Sequence, residues 1–328
     1  MAKMRDRTTL DKTLKVNSGG DTGFGGVFTE VPHTGSLALR NSSHVKVYHL
    51  NIENNAFSFD GLHRFLQKNI GRYVFSRAQI DQFYEDGDEE SIGARAIELL
   101  RKSAKPTDKG AGGELGEILL YVFLEQVLNA PKLLSKVELK TATNMYVNGS
   151  DGIHLLNCAN DEGLPICQLV FGESKIKGDL KAAVDDAFDS IRKIVQNPTN
   201  EIRLVESNIF KESYSHEQSE YIKRLIVPEK RGNRQLDKAF GIFLGYSIDI
   251  DANGYSNPAY RKAVTDKLAA DITACVPDIL SQIYKKQSDG SDLANFSFYF
   301  YTLPFNKADD DRRTIIERLV GGGGVGGD

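Results

Sequence analysis

Apolar and polar residues alternate along "HVKVYHLNI" (44–52), the two-residue period of a half-buried strand. The period then lengthens. Apolar residues recur at helical spacing in "GLHRFLQKN", "RAQIDQFYE" and "ESIGARAIELLRKS", with Asp60 and Ser76 placed to cap the first two. A fourth helix, "ELGEILLYVFLEQVLNA" (114–130), carries Leu115, Leu119, Val122 and Gln126 on one side. Three strands are predicted next, at 136–144, 150–157 and 165–174. The stretch 179–197 is an amphipathic helix with a stripe of Leu180, Val184, Ala187, Phe188, Ile191, Ile194 and Val195. Downstream the pattern predicts a helix over much of 203–226 and a strand at 240–248. A long helix at about 257–286 is expected to break near Pro277. The strand "FSFYFYTL" (296–303) and a short helix, "RRTIIERLV", complete the pattern before a Gly-rich tail.

Helix, three strands and helix, with further strands outside them, predict a mixed α/β (α+β) fold: a central mixed sheet flanked by helices. Gly and Pro mark loops at 17–26 and 104–113. The expected organisation is an N-terminal strand and helix elaboration over 1–106, a core over 107–305, and a C-terminal helix with tail over 306–328.

Composition narrows the functional classes. The net charge is −4, so no global basic field favours polyanions and any such site must be local. The three cysteines, Cys158, Cys167 and Cys275, form neither a disulfide framework nor a C-x-x-C metal knuckle. No membrane-spanning or signal-like run is evident, and the expectation is a cytoplasmic protein with reduced thiols. No Gly cluster ends in G-K-S or G-K-T, so no nucleotide is expected on this chain. The stretch "DIDANG" (249–254) opens like a calcium loop, but Tyr260 stands where the bidentate Glu is needed. Neither H-E-x-x-H nor G-x-S-x-G occurs.

One constellation survives. The apolar run Ile166–Phe171 ends abruptly in Gly172, Glu173, Ser174 and Lys175. In a strand, Glu173 and Lys175 share a face. The polar segment "CANDEGL" joins this strand to the one before, which predicts an antiparallel hairpin. A register centred on Glu162 sets Asp151 opposite Glu173, with Cβ atoms about 5 Å apart. Two carboxylates that close repel unless a cation lies between them, and a hard divalent ion, Mg2+ or Mn2+, suits them. Asp151 and Glu173 are thus candidate metal ligands, and Lys175 a candidate catalytic residue beside them. Glu114 and Glu117 begin the fourth helix, where they complement its dipole or add an oxygen to the site. Lys177 and Lys181 are candidate phosphate-backbone contacts. So is a basic patch at 223–238, including Lys230, Arg231 and Arg234. A second E-x-K, Glu138 and Lys140, alternates with Val137 and Leu139 as in an ordinary half-exposed strand and has no acidic neighbour strand.

Helix Glu117, then Asp151, then Glu173-Ser174-Lys175, then a helix, resembles the PD-(D/E)xK nuclease superfamily, with Ser150 where Pro often stands. The stretches "GELGEILLYVFLEQVL", "GSDGIHLL", "FGESKIKGDLKAAVDDAFDSIRKI" and "FYFYTLPF" are similar to the HamA family of the Hachiman anti-phage system, over about residues 45–305. The resemblance implies a restriction-endonuclease-like core and metal-dependent DNA cleavage. It also implies a complex with a helicase subunit (HamB-like) that controls the nuclease. A catalytically silent DNA-binding or regulatory subunit, and an RNase on the same scaffold, are the alternatives.

Overall fold

A buried seven-stranded sheet organises the chain. The computed structural model describes residues 23–103, 113–135, 137, 150–159, 165–196, 213–226, 235–285 and 292–321. Within them run β1 (Phe28–Val31), β2 (Ser43–Leu50), a small ribbon of β3 (Ile52–Glu53) and β4 (Ala56–Phe57), and then helices α1 (Asp60–Val74), α2 (Arg77–Glu85), α3 (Ile92–Ser103) and α4 (Gly113–Gln126). Next come β5 (Lys132–Ser135), β6 (Gly152–Ala159), β7 (Pro165–Ile176), α5 (Leu180–Val195) and α6 (His216–Ile226). The last elements are β8 (Gln235–Ser247), α7 (Asn257–Tyr284), β9 (Ser297–Phe305) and α8 (Ala308–Leu319). The strand order is β1-β2-β9-β8-β7-β6-β5. The central strands β2, β9, β8 and β7 are parallel, and β1, β6 and β5 run antiparallel to their neighbours. The fold is therefore the mixed α/β sheet with flanking helices that the sequence predicts. The N-terminal strands β1 and β2 are hydrogen-bonded members of this same sheet, with β2 directly beside β9.

Both faces of the sheet are covered. All nine residues of β9 are buried, which is why its sequence reads as a continuous apolar run rather than an alternating one. Helices α5 and α7 lie on one face, where Phe188 packs 6.0 Å from Phe298 and 6.2 Å from Phe300 between ring centroids. Helix α4 lies on the other and is held close by glycines. A Cβ on Gly172 would fall 2.8 Å from Leu120 Cδ2, and one on Gly241 would fall 2.5 Å from Leu124 Cδ2. Gly172 and Gly241 are partners across β7 and β8, and Leu120 and Leu124 are one helical turn apart. Each leucine thus occupies the space a side chain would take. Gly241→Ala is expected to overpack this contact and destabilise the protein by about 1–3 kcal/mol. A urea midpoint equal to that of the wild type would contradict this close packing.

Several local expectations change. The side chain of Ser76 caps α2 in a capping box with Gln79, as its sequence predicts. Asp60 is instead the first residue of α1, and its carboxylate accepts from Arg318 Nη1 at 2.6 Å. The α4 helix is buried on all sides from Leu115 to Glu125, not along one stripe, because α1 and α8 cover the side turned from the sheet. Helix α7 continues through Pro277, since Ile272, Val276, Ile279 and Ile283 stay buried on both sides of it. Strand β8 begins at Gln235, upstream of the predicted 240–248, and β6 spans 152–159 rather than 150–157. The four-residue β5 was hidden by its brevity. The predicted strand at 136–144 lies, apart from residue 137, outside the described residues. Among the described residues no helix is long and apolar enough to cross a membrane.

Candidate active site

The β6–β7 hairpin pairs Gly152 with Gly172 and Ile153 with Phe171. This register is centred on residue 162, as the sequence predicts, and Asp151, just outside the ladder, acts through its charge on the Glu173 carboxyl. Asp151 stands just before β6, and its backbone N–H donates to the Gly172 carbonyl at 2.8 Å. Glu173 and Lys175 lie near the end of β7, which extends to Ile176. Both carboxylates are buried: Asp151 is 5% exposed and Glu173 1%. Lys175, with its side chain 25% exposed, lies at the rim, and its Nζ donates to Glu173 Oε1 at 2.5 Å.

The electrostatics of Glu173 are unusual. Burial, and then the negative charge of Asp151, push its carboxyl up to about 8. The Lys175 ammonium and the Ser190 hydroxyl on α5 draw it back without cancelling the rise. Glu173 Oε2 is buried and makes no hydrogen bond of ordinary geometry. A buried acceptor without a donor, beside a second carboxylate, is what a cation satisfies. The pair therefore fits a hard divalent ion. Among the described residues no group of three or more His, Cys, Asp or Glu side chains converges on a metal position. Any ion held here would take two protein carboxylates, a number that suits Mg2+, which keeps water and substrate oxygens as its remaining ligands.

Glu117 is buried on α4, and its Oε2 accepts from the Tyr73 hydroxyl of α1 at 3.0 Å. Burial and then the Glu117 charge hold the Tyr73 hydroxyl protonated well beyond its ordinary range, and Asp151 and Glu114 add to the effect. Glu114 is half-buried in the first turn of the same helix. Glu117 and Glu114 thus border the Asp151 pair through Tyr73 without joining it in a three-carboxylate cage. Lys132, buried at the start of β5, donates from Nζ to the carbonyls of Tyr73 at 3.0 Å and Phe75 at 2.9 Å, which fixes the end of α1. Sequence reasoning missed Tyr73, Ser174 and Ser190. Only Ser174 left a signal, as the middle residue of E-S-K.

The predicted phosphate contacts are engaged elsewhere. Lys177 pairs with Asp186, and Lys181 pairs with Asp278 at 3.2 Å. Within the basic patch, Lys223 pairs with Glu220 at 2.9 Å. Lys230, Arg231 and Arg234 lie outside the described residues. The calcium-like stretch is a polar turn after β8, in which Asp251 accepts from the Asn253 backbone N–H at 3.0 Å.

A mixed sheet that carries buried Glu173 and rim Lys175 near the end of β7, with buried Asp151 just before β6, defines a mixed α/β protein with an acid–acid–lysine cluster. The HamA family model matches residues 27–319, and the chain belongs to the HamA family of the Hachiman anti-phage defence system. No curated protein matches the chain.

Proposed function

We propose that this chain is the nuclease subunit of an anti-phage defence complex and hydrolyses DNA phosphodiester bonds under the control of a helicase subunit. The observation that carries the reading is the buried Asp151–Glu173 pair, with an unpartnered Glu173 oxygen and Lys175 at its rim. Family membership supports the defence setting; the helicase partner and a cytoplasmic location belong to this proposal.

Asp151 and Glu173 would hold Mg2+ or Mn2+. Such an ion, when bound, lowers the charge barrier at the scissile phosphate and acidifies the attacking water. Lys175 keeps a positive charge at the mouth of the site, where it can turn from Glu173 Oε1 to orient the nucleophile or offset charge building on the phosphate oxygens. Glu117, fixed by Tyr73, orders the helix end that borders the pair. Lys177 and Lys181 can meet the DNA backbone only by exchanging Asp186 and Asp278 for phosphate.

The test is incubation of the purified protein, with and without its helicase, on linear and circular DNA and on RNA with Mg2+. Mg2+-dependent loss of DNA supports the reading. Intact DNA in every arm, with the complex assembled and Mg2+ present, supports the silent-subunit alternative. Loss of RNA alone supports the ribonuclease.

A further inference from the structure

Ser174 donates twice to one atom. Its backbone N–H reaches Asp151 Oδ2 at 2.8 Å, and its hydroxyl reaches the same oxygen at 2.6 Å. Asp151 stands outside the β6 ladder, in the bend that Ser150 ties down by donating from Oγ to the carbonyls of Gly152 at 2.7 Å and Gly172 at 3.1 Å. The ladder therefore does not set the Asp151 side-chain torsion. The two Ser174 donors hold one of the Asp151 oxygens.

Residue 174 is also confined. A Cβ on Gly116 of α4 would fall 3.0 Å from Ser174 Oγ and 3.2 Å from Ser174 Cβ. The helix thus presses a side-chain-free position against Ser174. This leaves room for a small residue and holds its hydroxyl toward Asp151. Of the small residues, Ser supplies the second donor and Ala does not.

We infer that Ser174, the middle residue of E-S-K, is a positioning residue that aims the Asp151 carboxylate at the cation position it shares with Glu173. The inference rests on the metal-dependent reading above and adds to it a residue that touches neither DNA nor ion. Groups that orient a ligating carboxylate typically set metal affinity by about 10–100-fold.

The experiment is calorimetric titration of the full chain with Mn2+, comparing wild type, Ser174→Ala and Glu173→Gln. A melting curve for each variant confirms folding. Ser174→Ala keeps the backbone donor and fits under Gly116, so its melting temperature should stay close to the wild type. Its Mn2+ dissociation constant should rise about tenfold. In cleavage assays its defect should shrink as Mn2+ is raised, a rescue that a merely structural role would not give. A folded Ser174→Ala with wild-type Mn2+ affinity overturns the inference and leaves the metal pair standing. Absence of Mn2+ binding in the wild type overturns both. Binding in the wild type that Glu173→Gln abolishes, without any DNA cleavage, sinks the nuclease reading alone.

Discussion

Lys175→Ala should remove Mg2+-dependent DNA cleavage, by about 10²–10³-fold or more, while leaving the fold intact. Two facts make both halves of this expectation. The side chain lies at the rim, 25% exposed, so its removal opens no cavity in the core. Its ammonium is also the only cation bonded to Glu173 among the described residues. Truncation therefore removes the charge that can follow the substrate from Glu173 toward the phosphate. The loss should appear in kcat more than in KM, because the charge on the reacting phosphate oxygens grows only as bonds rearrange. Unchanged kcat in a folded Lys175→Ala protein would remove the lysine from the chemistry.

Glu173→Gln should stabilise the metal-free protein, and more so as pH rises. In the fold the Glu173 carboxyl is raised from an ordinary value of 4.5 to about 8, by burial first and by Asp151 second. An unfolded chain ionises this group near its ordinary value. The folded chain holds the proton to higher pH, so folding stability falls as pH climbs from 4.5 through about 8. A glutamine at this position does not titrate and escapes that loss. The gap between variant and wild type should therefore be small near pH 5 and reach a few kcal/mol near pH 8, because each pH unit crossed between the two values costs about 1.4 kcal/mol. Urea denaturation in chelator at the two pH values measures it. Added Mg2+ should then stabilise the wild type at pH 8 and leave the variant unmoved. Parallel pH profiles for the two proteins would show that the fold does not hold this carboxyl in its protonated form.

Much of this site was legible in the sequence because its parts lie on one hairpin. The two-residue period of β7 puts Glu173 and Lys175 on one face, and the turn composition at 158–164 fixes a register that brings Asp151 alongside. The supporting residues were not legible, for a physical reason. Tyr73 reaches Glu117 across 44 residues of chain, and Ser190 approaches Glu173 from a helix packed on the sheet. Neither relation leaves a period or a spacing in the sequence. The fold class followed from the order of elements, whereas boundaries shifted where tertiary packing overrode local signals. Pro277 is carried within α7 by buried residues on either side, and Gln235–Lys238 join β8 because β7 offers them a partner strand.

Asp151 and Glu173 are proposed to hold a divalent cation between them. Anomalous scattering from a crystal soaked in Mn2+ tests it most directly. The expected result is a single strong peak within coordination distance, about 2.0–2.3 Å, of a carboxylate oxygen of each residue, and its loss in Glu173→Gln. A peak elsewhere in the molecule, or none at the pair with Mn2+ in excess, would contradict it.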